Sequence, residues 1–275
     1  MSDTPIEQRI TYTVKDKVAI IRFNLPDALN ALDGDEYLQF AKLISRADNE
    51  PDTIATMLTS SGRYFSAGAN VTRIGMLSTE DTENIERFWL NQFVSRNTYI
   101  TYLLSNHKKV LVAALNGPVI GLSAAIVALC DLIYASTEDL FFLAPFANLG
   151  LVTEGAVSAS LYKRLGFSKA NEALLLAKPI SGKELYRLGF INKFYLNTKS
   201  VEDFNDQVVA DLQESISGLY GPSILEIKGL IKDNYLFDYE RANSREVIQG
   251  FDKWVAGIPQ QRFMEVATKQ RKHKM

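Results

Sequence analysis

One cysteine and two histidines in 275 residues leave little room for several kinds of chemistry. The single thiol, Cys130, allows no internal disulfide, and its neighbours Ile126-Val127-Ala128-Leu129 are apolar. A reactive thiolate needs an electropositive, partly open setting, so a buried, inert thiol is predicted, in a chain suited to a reducing intracellular compartment. His107, in the polar segment Ser105-Asn106-His107-Lys108-Lys109, and His273, near the C-terminus, are read as surface residues. A histidine-based triad is thereby unsupported, as is a metal site, since no ligand spacing is clustered. The glycines match neither a phosphate-binding P-loop nor a dinucleotide fingerprint. No apolar stretch approaches the roughly 20 residues of a membrane span. Met1-Ser2-Asp3-Thr4-Pro5 is polar and leads into no uninterrupted apolar run, so no secretory signal is expected. With 30 Lys and Arg against 32 Asp and Glu, no excess of cations exists to neutralise the phosphates of a nucleic acid.

What is present is a soluble α/β pattern. Ile10–Val14 and Val18–Phe23 read as strands joined by Lys15-Asp16-Lys17. Asp33 with Glu36 forms a capping box for a helix whose apolar stripe is Tyr37, Phe40, Ala41, Ile44 and Ala47. Further strands are predicted at 53–58, 110–115, 132–134 and 140–143, the second of these segments, Val110–Leu115, being apolar enough to be buried on both faces. One helix is predicted over 81–104 and a short buried one over 122–129. Helical patterns then dominate: 156–165, 169–176, 201–216, 223–232 and 241–255, with Pro222 and Pro259 near helix starts. Strand–strand–helix units first and helices last make an α/β core with a C-terminal helical part.

Three segments could carry chemistry. Tyr64-Phe65-Ser66-Ala67-Gly68-Ala69-Asn70-Val71 and Asn116-Gly117-Pro118-Val119-Ile120-Gly121-Leu122-Ser123-Ala124-Ala125 each follow a strand and are rich in small residues. Either they are tight turns without a ligand, or their backbone N–H groups converge as an oxyanion hole. In the third segment, Pro145 to Gly155, Glu154 is the only ionisable side chain in an uncharged stretch reaching to Leu161. It is either a helix N-terminal carboxylate favoured by the dipole or a desolvated base with a raised pKa.

Together these segments resemble the enoyl-CoA hydratase/isomerase (crotonase) superfamily. The likeness runs from about Ile10 to at least Tyr195 through Leu29-Asn30-Ala31-Leu32, Phe65-Ser66-Ala67-Gly68-Ala69, Asn116-Gly117-Pro118 with Gly121, and Cys130-Asp131-Leu132-Ile133-Tyr134-Ala135. The wording of 120–125 and 145–155 is most similar to the fungal peroxisomal delta3-delta2-enoyl-CoA isomerases. The resemblance implies a crotonase-like spiral of ββα units over residues 1–200. It implies a helical region over 201–275 for oligomerisation or active-site cover. Oxyanion donors would be the N–H groups of Ala69 and Leu122. Ala67, Gly68, Ala69, Asn70 and Val71 would line an acyl-CoA, with Ala28 and Leu29 near the coenzyme. The water-activating glutamates of the hydratases fall at Ala125 and Phe146, both apolar here, and the family's usual Asp in the first loop is Asn70.

Glu154 then stands where the isomerases place their carboxylate. The expected reaction is transfer of the double bond of 3-enoyl-CoA to the 2-trans position in the β-oxidation of unsaturated fatty acids, with no metal and no cofactor beyond the coenzyme A of the substrate. Asn97 is a candidate for orienting Glu154, although an exposed helix Asn is the simpler expectation. The alternatives are a dienoyl-CoA isomerase and a non-catalytic acyl-CoA-binding member of the fold. A homotrimer or homohexamer is implied. The basic stretch Lys269 to Met275 ends in His273-Lys274-Met275, which resembles a peroxisomal import tripeptide. Peroxisomal location and an import receptor are therefore expected, and Lys269 or its neighbours could alternatively reach a CoA phosphate.

Overall fold

The computed structural model describes residues 4–70, 78–268 and 270. Val71, Lys269, His273 and the terminal tripeptide lie outside the described residues. A first short helix α1 (Ile6–Arg9) leads into β1 (Ile10–Lys15) and β2 (Val18–Phe23), an antiparallel pair turned at Asp16. The capping box at Asp33 and Glu36 starts α2 (Gly34–Asp48), and all five residues of its predicted stripe are buried. After β3 (Ala55–Ser60) come α3 (Thr79–Glu83), α4 (Ile85–Trp89), a π-helical turn over Leu90–Ser95, and α5 (Arg96–Ser105). Then follow β4 (Val110–Leu115), β5 (Val119–Ile120), α6 (Leu122–Ala128), β6 (Leu132–Ala135) and β7 (Phe141–Leu143). The chain continues through α7 (Val157–Leu175), β8 (Ile180–Ser181), α8 (Gly182–Arg187) and β9 (Lys193–Phe194). It closes with α9 (Val201–Ile216), α10 (Gly221–Asp233), α11 (Leu236–Val255) and α12 (Ile258–Ala267).

The main sheet has the order β1-β2-β3-β4-β6-β9, parallel except for its first pair. A smaller sheet, β5-β7-β8, is linked by a bridge between Ser66 and Val119 to the loop after β3. Strand alternation sorts the core into two bodies. Ile21, Phe23, Leu58, Leu111, Ala113 and Leu115 face α2, α6 and the smaller sheet, while Val18, Met57, Val112 and Ala114 face Phe204, Val208 and Leu212 of α9. The prediction that Val110–Leu115 is buried on both faces holds, and this is why the strand lacks polar alternation. Cys130 is buried as predicted, and burial pushes its thiol up to about 12.

Two expectations are corrected. The single helix over 81–104 is broken: Asn84 leaves helical space (φ −122°, ψ 44°), and a π turn intervenes. Trp89, Phe93 and Asn97 are spaced by four and are all buried. Steps of four drift about 40° each around an α-helix, and the wider π turn keeps all three on the inward side. Trp89 stacks on Trp254 of α11 with ring centroids 4.3 Å apart. Phe93 sits against Gly250, where a Cβ would come within 2.6 Å of its ring.

His107 is not a surface residue. Its side chain is fully buried, with Nε2 2.9 Å from Thr56 Oγ1 and Nδ1 3.4 Å from Asp48. Burial, then the nearby Lys228, lowers its pKa to about 3, so it is a neutral core histidine. A polar local sequence conceals this, because the residue turns inward between the end of α2 and β3. Among the described residues, no helix is long and apolar enough to cross a membrane.

Candidate active site

The first loop is held in place by its own backbone. Leu29 and Asn30 are both left-handed, with φ of 53° and 54°. The Asn30 side chain makes that turn rigid: its Oδ1 accepts from Leu25 N–H, and its Nδ2 donates to the carbonyls of Ser61 and Tyr64. The loop then pairs with residues 67–70: Ala67 N–H donates to Leu29 O, Leu32 N–H to Gly68 O, and Asn70 N–H to Leu32 O. Leu29, with Ala28 before it, is thus brought beside the segment from Ala67 to Asn70. Gly68 must be glycine, since its φ is 89° and a Cβ would lie 2.7 Å from Ile120 O.

That close approach is how the second loop reaches the first. Phe65 N–H donates to Pro118 O, and Ile120 N–H to Ser66 O. Ser66 Oγ donates to Asn30 O at 2.7 Å, so the 2.7 Å contact between Ser66 Oγ and Ser123 Oγ has Ser123 as donor. Ser66 Oγ also accepts from Gly68 N–H. A buried hydroxyl pair therefore ties the residue next to Leu122 to the loop bearing Ala69. The N–H groups of Gly68, Asn70, Gly121 and Ala125 all have acceptors. Among the described residues, those of Ala69 and Leu122 have none. Two unpaired donors on facing loops are what an oxyanion hole requires.

Glu154 stands on the turn that packs against α6. A Cβ on Gly155 would lie 2.9 Å from Ala125 Cβ and 3.3 Å from Leu122 Cδ1, so the base turn and the second loop are in contact. Gly155 and Ala156 are both left-handed (φ 67° and 59°), which swings the chain sharply from Glu154 into α7. Glu154 is buried, and desolvation pushes its pKa up to about 7. The positive charge of Arg96 and the Asn97 hydrogen bond oppose that rise, and the charge of Glu246 adds to it. Asn97 is buried, not exposed, and donates from Nδ2 to Glu154 Oε2 at 2.9 Å. Arg96 Nε donates to Asn97 Oδ1 at 3.0 Å. Oε1 of Glu154 has no hydrogen-bond donor among the described residues, which leaves it as the oxygen available for a proton.

Ala125 and Phe146 are buried and apolar, so no second carboxylate stands at either position. Arg96, Ser123 and Glu246 escaped the sequence reading. Ser123 lay inside a motif already singled out, and its position next to a candidate donor was the available signal. Arg96 adjoins the candidate Asn97, but only the π turn decides which way that pair faces. Glu246 carries no local signal at all. Among the described residues, no three His, Cys, Asp or Glu side chains are grouped to hold a metal ion.

A family profile described as enoyl-CoA hydratase/isomerase matches residues 13–220. Over 272 residues the chain is 40% identical to a 3,2-trans-enoyl-CoA isomerase of Saccharomyces cerevisiae, covering 98% of this chain and 97% of the relative. It is 39% identical over 276 residues to a Delta(3,5)-Delta(2,4)-dienoyl-CoA isomerase of Pyricularia oryzae, covering 96% and 98% respectively. The fold matches the crystal structure of an enoyl-CoA hydratase/isomerase from Pseudoalteromonas atlantica T6c with a TM-score of 0.79 at 22% identity, over 97% of this chain and 99% of that one.

Proposed function

Because the chain belongs to the enoyl-CoA hydratase/isomerase family, we propose that it is an isomerase that moves the double bond of 3-enoyl-CoA to the 2-trans position. The observation that carries this reading is a buried carboxylate, Glu154, with a pKa near 7 and one oxygen unengaged, on a turn that packs against the loop of Leu122, one of two unpaired backbone donors. A base titrating near neutrality suits both the removal and the return of a proton.

Glu154 Oε1 takes a proton from C2 of the thioester. The C2–H electron pair forms a C1=C2 double bond and the carbonyl π pair moves onto oxygen, giving a dienolate, conjugated with C3=C4, that carries its negative charge on the thioester oxygen. The N–H groups of Ala69 and Leu122 stabilise that oxygen, each donor contributing about 3 kcal/mol in comparable sites. The same Glu154 then returns the proton to C4, and the double bond comes to rest between C2 and C3. One base suffices because a planar dienolate offers C2 and C4 on one face. Asn97 holds Oε2 throughout, so Oε1 stays aimed at the substrate. With alanine and phenylalanine at positions 125 and 146, nothing there holds a water for addition, which favours isomerisation over hydration.

A second reading is supported by the Pyricularia relative: a 3,5-dienoyl-CoA substrate in the same pocket. Incubation with 3-enoyl-CoA, 2-enoyl-CoA and 3,5-dienoyl-CoA, each followed by absorbance, separates the two. Turnover of 3-enoyl-CoA alone supports the first reading, turnover of the diene the second, and no turnover reduces the chain to an acyl-CoA binder. Glu154→Gln is the direct test. Thioester binding should persist without turnover, and a near-normal kcat would remove Glu154 from the mechanism. A role in the β-oxidation of unsaturated fatty acids and peroxisomal residence belong to the same proposal. Imaging of the tagged chain with and without residues 273–275 tests the latter. Assembly through the exposed apolar side chains of α10, Ile227, Leu230 and Ile231, into a trimer or hexamer is tested by sedimentation.

A further inference from the structure

We propose that Glu246, on the C-terminal helix α11, is a positioning residue for Glu154, holding the turn that presents it and setting its charge environment. This rests on Glu154 being the base. The turn needs an external support. Gly155 and Ala156 are consecutive left-handed residues, a conformation that is unfavourable for alanine. Helix α7 begins directly afterwards, and its N-cap, Ala156, offers no side-chain oxygen to the first N–H groups. Glu246 supplies both missing acceptors from 90 residues away: Ala156 N–H donates to Oε2 at 2.7 Å and Ser158 N–H to Oε1 at 3.0 Å. The carboxylate is buried while doing so. A bidentate carboxylate at a helix N-terminus is a strong arrangement, since the acceptor is charged and the dipole favours it.

The same helix also grips the other support of Glu154. Asn243 Nδ2 of α11 reaches Thr98 O of α5 at 3.4 Å, one residue beyond Asn97. Trp254 of α11 stacks on Trp89, and Gly250 receives Phe93, on the turn that aims Asn97 inward. Helix α11 therefore references both the base and its hydrogen-bond partner to one rigid body. Electrostatics follow from that placement. The groups acting on Glu154 are Arg96 and Asn97 from α5, Tyr37 from α2 and Glu246 from α11. Arg241, Arg245, Asp238 and Lys163 share the surface cleft of about 490 Å³ that Glu246 lines from below. Burial is the main cause of the raised Glu154 pKa, and the negative charge of Glu246 adds to it.

The experiment uses Glu246→Gln and Glu246→Asp in the full chain, with 3-enoyl-CoA as substrate. Glu246→Gln keeps the volume but loses the charge and one of the two acceptors. Its kcat should fall by about tenfold to a hundredfold, the scale of a small misplacement of a catalytic group. KM should change little, and the acid limb of kcat/KM should move to lower pH. Glu246→Asp keeps the charge but is too short to reach both N–H groups, so it should retain the wild-type midpoint with a reduced kcat. Ala156→Gly in the Glu246→Gln background relieves the left-handed strain. It should restore thermal stability but not the wild-type midpoint. A Glu246→Gln variant with unchanged kcat and midpoint overturns the proposal. So does one whose lost activity returns in full with Ala156→Gly, because that would make the role purely structural. An infrared difference titration of the Glu154 carboxyl, wild type against Glu154→Gln, gives its midpoint without turnover. If Glu154→Gln stays active, the base assignment fails. If Glu154→Gln is dead and Glu246→Gln leaves the infrared midpoint where it was, only the role of Glu246 fails.

Discussion

The two halves of the candidate site are built by different means. The paired loops around Ala69 and Leu122 are joined mainly by backbone bonded to backbone, pinned by the uncharged side chains of Asn30, Ser66 and Ser123, with glycine where two chains nearly touch. The turn around Glu154 is made by side chains that arrive from elsewhere: Asn97 from α5 and Glu246 from α11. Backbone amides cannot titrate and move little, which suits a fixed electrostatic trap for an oxyanion. A carboxylate held by side chains can have its basicity adjusted by each of them in turn. Mutations should therefore separate the halves: changes near the base move pH profiles, and changes near the loops move kcat without moving them.

The largest effect is expected at Glu154 itself. Glu154→Gln should lower kcat by about 10³- to 10⁴-fold, at the upper range for loss of a general base. In the unaltered chain, kcat/KM should rise with pH through about 7, because the base must be ionised in the free protein. Stability should respond in the opposite sense. Folding raises the pKa of this carboxyl from 4.5 to about 7, so the stability it lends is full below 4.5 and is lost as pH rises through 7. Above pH 8 the Glu154→Gln protein should be the more stable by as much as about 3 kcal/mol, read from denaturant unfolding at paired pH values. Equal stability at every pH would mean that Glu154 is not desolvated.

Asn97 sharpens the comparison from the side of the base. Its hydrogen bond to Oε2 favours the charged form, so Asn97→Ala should raise the Glu154 midpoint further while freeing the side chain to wander. A fall in kcat of about tenfold at neutral pH is expected. Part of it should be recovered at higher pH, where the carboxyl ionises again. A uniform loss at all pH values would leave Asn97 with orientation alone.

The same division governs what could be read from the chain. The loop half was legible because its requirements are local: glycines at tight approaches, small residues, and an Asn-Gly-Pro turn after a strand. Glu154 was legible as a lone carboxylate in an apolar stretch. Its supports were not. Asn97 faces inward because a π turn precedes it, and nothing in the residues 81–104 distinguishes that turn from a continuous helix. Glu246 sits in a helix that resembles any amphipathic helix until Ala156 and Ser158 are found beside it. His107 was misread for a related reason, since a polar neighbourhood in sequence became an enclosed one only when α2 and β3 closed over it. Short strands such as β5 and β8 have too few residues to show a period, so of the smaller sheet only β7 was visible although the loop half depends on it.

The smallest effect is expected at Ser123, and it probes the loop half alone. Ser123 donates to Ser66 Oγ, which passes its own proton to Asn30 O and still accepts from Gly68 N–H. Ser123→Ala removes one donor and leaves Ser66 with both of its other partners, although it also takes a neighbouring hydroxyl from the buried Tyr37 OH. The expected loss of stability is about 1 kcal/mol, the net worth of one such hydrogen bond. The Leu122 N–H would then be less firmly referenced to that of Ala69, and kcat should fall about three- to tenfold. Because neither serine carries charge near Glu154, the midpoint of the pH profile should stay where it is. Ser66→Ala should be worse, since it breaks the links to Asn30, Gly68 and Ser123 together. A shift of the midpoint in Ser123→Ala would show that the two halves are electrically coupled through the turn at Gly155, and the separation drawn between a fixed trap and an adjustable base would have to be given up.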